Sequence, residues 1–167
     1  MPIKGKIIIA LDGPAASGKG TLAKKLAKHF NLVLLDTGAL YRAVGLNVLK
    51  SGGNPENEND ALNAVDMLPK TDLSDPMLRG ESTGAAASKV AAIPSVRAKL
   101  VDYQRNFANN PPKTKDGSIL DGRDIGTVIC PDAPFKIFIT ADVETRAKRR
   151  FLEEFGDNGS DEKYQLI

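Results

Sequence analysis

Gly13-Pro14-Ala15-Ala16-Ser17-Gly18-Lys19-Gly20-Thr21 decides the fold through what stands on either side of it. Before it, Ile7 to Leu11 is an unbroken apolar run. A strand buried on both faces of a parallel sheet reads this way. After it, Leu22, Leu26 and Phe30 recur at helical spacing, with Lys24, Lys25 and Lys28 between them. Strand, glycine loop and helix therefore follow one another directly, and the loop matches G-x-x-x-x-G-K. Glycines let the backbone curl so that successive N–H groups face an anion. The following helix adds the positive end of its dipole. Lys19 adds a mobile charge for β and γ phosphates. Residues 13–21 are thus the predicted cradle of a nucleoside triphosphate.

The same alternation continues outward. Leu32 to Leu35 predicts a second strand ending in Asp36-Thr37-Gly38, and Leu40 to Leu49 a helix closed by Ser51-Gly52-Gly53. Residues 61–68, 81–92 and 95–107 predict three more helices, with Pro94 breaking the chain between the last two. Strand character returns at Ser118 to Leu120 and at Lys136 to Thr140. Residues 142–155 predict a strongly basic helix, and Ser160 the N-cap of another. Strands alternating with helices give an α/β fold with a parallel sheet, and only four strands are convincing.

Composition narrows the partners. Of 167 residues, 41% are apolar and 26% charged, with a formal net charge of +2, so no global field favours long nucleic acid. Trp is absent and aromatics are 5%, which speaks against a stacking platform for single strands. Cys130 is the only cysteine. It provides neither a disulfide framework nor a zinc-ligand set, and it fits a reduced, cytoplasmic compartment. The apolar run at Ile7 is too short to span a membrane. A monomer acting on small molecules is expected.

A phosphotransferase needs a second anion site. Arg42 follows the second strand in Asp36-Thr37-Gly38-Ala39-Leu40-Tyr41-Arg42, and Arg123 follows the third in Asp121-Gly122-Arg123-Asp124. Ligands of open α/β sheets collect at the carboxyl ends of strands. Guanidinium groups there offer planar forks to phosphate. Asp36 and Asp121 are equally good candidates for ordering water around Mg²⁺. In place of the usual Ser/Thr after the lysine stands Gly20, with the hydroxyl one position later at Thr21. That variant is similar to nucleoside monophosphate kinases such as adenylate kinase and unlike Ras-like GTPases.

With Ala86 to Arg97, Asp121 to Val128 and Pro131-Asp132-Ala133-Pro134 added, the chain resembles bacterial cytidylate kinases from Ile7 to about Arg150. The resemblance implies a P-loop NTPase-type, three-layer α/β/α fold. It has a core at 1–50 and 115–150, a short helical acceptor-binding insertion at 54–112 and a partial lid at 146–160. It implies transfer of the γ-phosphoryl group of ATP, with Mg²⁺, to CMP or dCMP in pyrimidine nucleotide metabolism. Lys19, Arg42, Arg123 and Arg150 would act on the transferring and acceptor phosphates. Thr37 would line the acceptor pocket, and Ser88, Arg97 and Asp124 would read the base. Arg146, Arg149 and Arg150 share one helix face, and residues 156–159 would be the lid loop. Leu68 to Glu81 is shorter than the family's insertion, which leaves Arg79 and the next helix to cover the acceptor. The family pattern also continues past the lid with a helix, a strand and a helix. The chain therefore reads as ending short of it, with weak or absent turnover expected of residues 1–167. Two other readings are a kinase for another small acceptor, a nucleoside monophosphate or shikimate, and a nucleotide-binding module without acceptor chemistry.

Overall fold

The computed structural model describes residues 6–155, with side chains as far as Leu152. The chain divides into two compact units, residues 1–34 with 113–167, and residues 35–112.

In the first unit the chain enters through β1 (Ile7–Asp12), passes the glycine loop and forms α1 (Lys19–His29). It continues with β2 (Leu32–Asp36), which runs into the second unit. It returns with β3 (Gly117–Gly122), a single turn of π-helix (Ile125–Ile129), β4 (Phe135–Phe138) and α6 (Val143–Phe155). The four-stranded parallel sheet has the order β2-β3-β1-β4. β1 pairs in parallel with β3, Ile9 opposite Ile119 and Asp12 opposite Gly122, and with β4, Asp12 opposite Phe138. Ile9, Leu11, Ala23, Leu32 and Ile119 form the core between sheet and α1, with Leu22, Leu26 and Ile137 packed against it. Burying such a side chain stabilises by roughly 1.5–3 kcal/mol. The expected α/β class, a parallel sheet flanked by helices, is therefore what the chain forms.

The second unit is helical: α2 (Thr37–Lys50), α3 (Glu58–Asp66), α4 (Glu81–Ala91) and α5 (Pro94–Asn109), with 3-10 turns at Leu68–Lys70 and Pro76–Arg79. Gly45 lets α2 and α4 approach closely, since a Cβ on it would lie 2.7 Å from the Ala87 nitrogen. Buried Asn47 donates to the Ala64 carbonyl at 3.3 Å and the Thr71 hydroxyl at 2.9 Å, tying α2 to the segment after it.

Several boundaries differ from the sequence reading. α3 starts three residues early because Asn57 caps it, accepting from the Asp60 nitrogen at 3.1 Å. α5 starts one residue earlier than read, at Pro94 itself, since a first-turn position needs no N–H. β3 extends through Asp121 and Gly122, so both lie in the strand instead of beyond it. The expected N-cap at Ser160 and lid loop at 156–159 lie outside the described residues.

Candidate active site

The glycine loop has the geometry its sequence requires. Gly13 has φ +148°, and a Cβ there would meet the Ile139 carbonyl oxygen at 1.9 Å. Gly18 caps α1 at φ +95°, and Ala16 also takes a left-handed conformation at φ +56°. The first turn of α1 contains no acidic residue, so its amides and dipole are open to an anion. Lys19 Nζ donates to the Pro14 carbonyl at 2.9 Å, and the ammonium lies 3.8 Å from Asp121 Oδ1, both side chains largely buried. The Ser17 hydroxyl is buried with no hydrogen-bond partner among the described residues. A buried hydroxyl left without a partner carries a free-energy cost.

Asp121 sits beside the start of α1. Its Oδ2 would lie 3.6 Å from a Cβ on Gly20, an ordinary van der Waals distance. The Asp121 carboxylate is a hard oxygen donor of the kind a hydrated Mg²⁺ takes, and the Thr21 side chain is exposed. Asp36 is instead engaged as the cap of α2, accepting from the Ala39 nitrogen at 3.1 Å.

α6 contributes arginines to the same loop. Arg149 donates to the Ala16 carbonyl at 3.3 Å. Arg146 and Arg150 line a cleft with Ala15, Ala16, Val143 and Ala147. Arg146 is steadied by the Ala141 carbonyl at 3.2 Å. α6 itself starts on Asp142, which accepts from the Thr145 nitrogen at 2.7 Å and hydroxyl at 2.8 Å. Those bonds, the backbone one first, hold its carboxyl below the ordinary value of 3.8. Arg123 is exposed and Asp124 half-buried just after β3.

Within the second unit, Thr37 is buried at the start of α2. Arg42 is half-buried and donates to the Leu78 carbonyl at 2.9 Å. Ser88 and Arg97 are exposed on α4 and α5, and Ser88 donates back to the Gly84 carbonyl at 3.1 Å.

One residue escaped the sequence reading. Asp12, which follows the apolar run Ile7 to Leu11, accepts from the Ile125 and Gly126 nitrogens, each at 2.8 Å. A charged residue closing a buried strand was the available signal.

A parallel strand running into a left-handed glycine loop, a lysine folded over that loop and a carboxylate on the adjacent strand define a phosphate-binding α/β protein of the P-loop class. The family model described as Cytidylate kinase matches residues 9–167. The chain is 55% identical over 157 residues to a protein named cytidylate kinase from Rhodospirillum rubrum, covering 94% of this chain and 73% of that one. It is also 55% identical over 147 residues to a cytidylate kinase from Rhodopseudomonas palustris strain BisA53, covering 88% and 68%. A solved structure of an uncharacterised protein from Eubacterium ventriosum matches 96% of this chain and 67% of its own, with TM-score 0.48 and 23% identity. The chain belongs to the cytidylate kinase family. No helix among the described residues is long and apolar enough to cross a membrane.

Proposed function

We propose that this protein transfers the γ-phosphoryl group of ATP to CMP or dCMP, giving ADP and CDP or dCDP. The observation that carries the reading is Lys19 folded onto the glycine loop and 3.8 Å from Asp121 in a chain of this family. The family also favours this acceptor over other monophosphates or shikimate, and favours a phosphotransferase over a binding module.

Phosphoryl transfer needs positioning and charge neutralisation more than covalent chemistry. Residues 13–21 hold the ATP phosphates, and Lys19 moves from Pro14 to the β and γ oxygens. Arg42 and Arg123 hold the phosphate of the acceptor, with Thr37 in the same pocket. Arg150 neutralises the transferring group. Mg²⁺, held through water by Asp121 or Asp36, would offset charge on the β and γ oxygens. In domain terms, residues 1–50 and 115–150 are the core, 54–112 the acceptor-binding insertion and 146–160 the lid. We read the protein as a cytoplasmic monomer.

Ser88, Arg97 and Asp124 read the base. Cytosine offers an amine to Asp124 and accepts at N3 and O2 from Arg97 and Ser88. Uracil turns a carbonyl toward the carboxylate, which costs about 1–3 kcal/mol. Calorimetry tests this. CMP should bind about 10- to 100-fold more tightly than UMP or AMP. Asp124→Ala should erase the margin over UMP, and Arg123→Ala should weaken CMP and UMP alike. Equal binding of CMP and UMP by the wild-type protein would sink the proposal.

A further inference from the structure

We propose that Asp12 is a positioning residue for phosphoryl transfer, its carboxylate holding the Arg123–Asp124 segment in register with the phosphate loop. This rests on the acceptor role proposed above for those two residues.

Asp12 is the last residue of β1 and precedes Gly13 directly. It is 9% exposed, and no lysine or arginine pairs with it among the described residues. Both of its oxygens are spent on backbone amides instead: Oδ1 accepts from Ile125 N and Oδ2 from Gly126 N, each at 2.8 Å. These are the first two amides of the π turn. The residue at that turn's own cap position, Asp124, supplies no side-chain cap. Asp12 therefore caps the turn from another strand, and an anionic oxygen is the strongest acceptor available for such amides. The seat is tight. A Cβ on Gly126 would meet Lys136 Cδ at 3.2 Å and Asp12 Oδ2 at 3.3 Å. The Asp12 carbonyl also accepts from the Ile139 nitrogen at 2.8 Å, so the residue cannot drift with its side chain.

The consequence is a short mechanical link. Through its peptide bond to Gly13, Asp12 sets where the donor cradle begins. Through its carboxylate it sets Ile125, the residue after Asp124. Donor phosphates and acceptor-binding groups are thereby referred to one buried residue. In-line transfer tolerates little misplacement, and an error of about 1 Å costs on the order of 100-fold.

Asp12→Asn separates this role from bulk packing, since it preserves shape but turns an NH₂ toward one of the two amides. In the wild-type background we expect CMP affinity to fall about tenfold and kcat about tenfold or more, while ATP affinity stays within about twofold. Gly126→Ala presses on the same contact from the other side and should give the same split, smaller in size. Unchanged CMP affinity, or equal losses for ATP and CMP, would overturn the assignment. Should both variants fail to fold, amide exchange on the wild-type protein decides. Ile125 and Gly126 must be protected like buried, bonded amides, and exchange as fast as an open loop refutes the clasp. A wild-type protein that does not prefer CMP over UMP sinks the functional reading instead, while the exchange result still tests the clasp.

Discussion

The Ser17 hydroxyl is the clearest unmet need in the protein at the scale of a single residue. It is buried inside the glycine loop, and none of the described residues bonds to it. A buried hydroxyl without a partner costs about 1–3 kcal/mol. Replacing the hydroxyl by hydrogen, as alanine does, removes that cost but gives up some of the packing around it. Ser17→Ala should therefore leave the nucleotide-free protein equally stable, or more stable by up to about 1 kcal/mol, in denaturant titration. ATP affinity should drop several-fold in the same variant. A large loss of stability without nucleotide would show that the hydroxyl has a structural partner and does not serve phosphate. The loop's geometry was legible because Gly13 and Gly18 answer backbone requirements, both with positive φ and Gly13 against the Ile139 carbonyl. The partners of Asp12 were not legible: the charge closing a buried strand marks the residue, but nothing in a linear reading pairs it with amides more than a hundred positions away.

At the scale of elements, α6 links a cap to the site. Asp142 starts the helix, and one to two turns later Arg146, Arg149 and Arg150 reach the glycine loop or the cleft beside it. Hydrogen bonds from Thr145 hold the Asp142 carboxyl below its ordinary value, with the Arg149 charge adding to the effect. A carboxyl whose pKa is lower in the folded than in the unfolded state stabilises above the unfolded value. That contribution disappears as pH falls through the folded value. The protection factors of the Thr145 and Arg146 amides should thus be flat from pH 7 to about 5 and fall below about pH 4. Asp142→Asn keeps a capping acceptor without the charge, so its protection should vary little over that range. Equal acid sensitivity in both proteins would show that the cap does not control the helix start.

The basic helix was legible from its composition and spacing, and so were β1, α1 and α2, whose apolar residues carry the period of the element they form. The π turn at Ile125–Ile129 was not legible. Its amides are satisfied by Asp12 from outside the segment, so local sequence holds no period for it. The early start of α3 was missed for a smaller reason: the polar stretch Asn54 to Asp60 reads as loop until Asn57 is seen to cap it.

At the scale of the whole molecule, the net charge of +2 leaves no strong overall field to gather anions. Nucleotide preference must then rest on local contacts, and ligand linkage converts those contacts into a global measurement. A ligand that binds only the folded state stabilises it by RT ln(1 + [L]/Kd), about 2.7 kcal/mol at one hundred times Kd. For a chain of this length, 1 kcal/mol corresponds to a shift in Tm of about 2–4 °C. CMP at that concentration should raise Tm by about 5–10 °C. UMP binding 10- to 100-fold more weakly would contribute about 0.4–1.4 kcal/mol at the same concentration, a shift of about 1–6 °C. In Asp124→Ala the two shifts should converge, because the carboxylate that separates amine from carbonyl is gone. Thermal scans with CMP, UMP and AMP at one fixed concentration measure this directly. Coincident shifts for CMP and UMP in the wild-type protein would mean that the base is not read through Asp124. A CMP advantage that survives Asp124→Ala would move the reading onto Ser88 and Arg97.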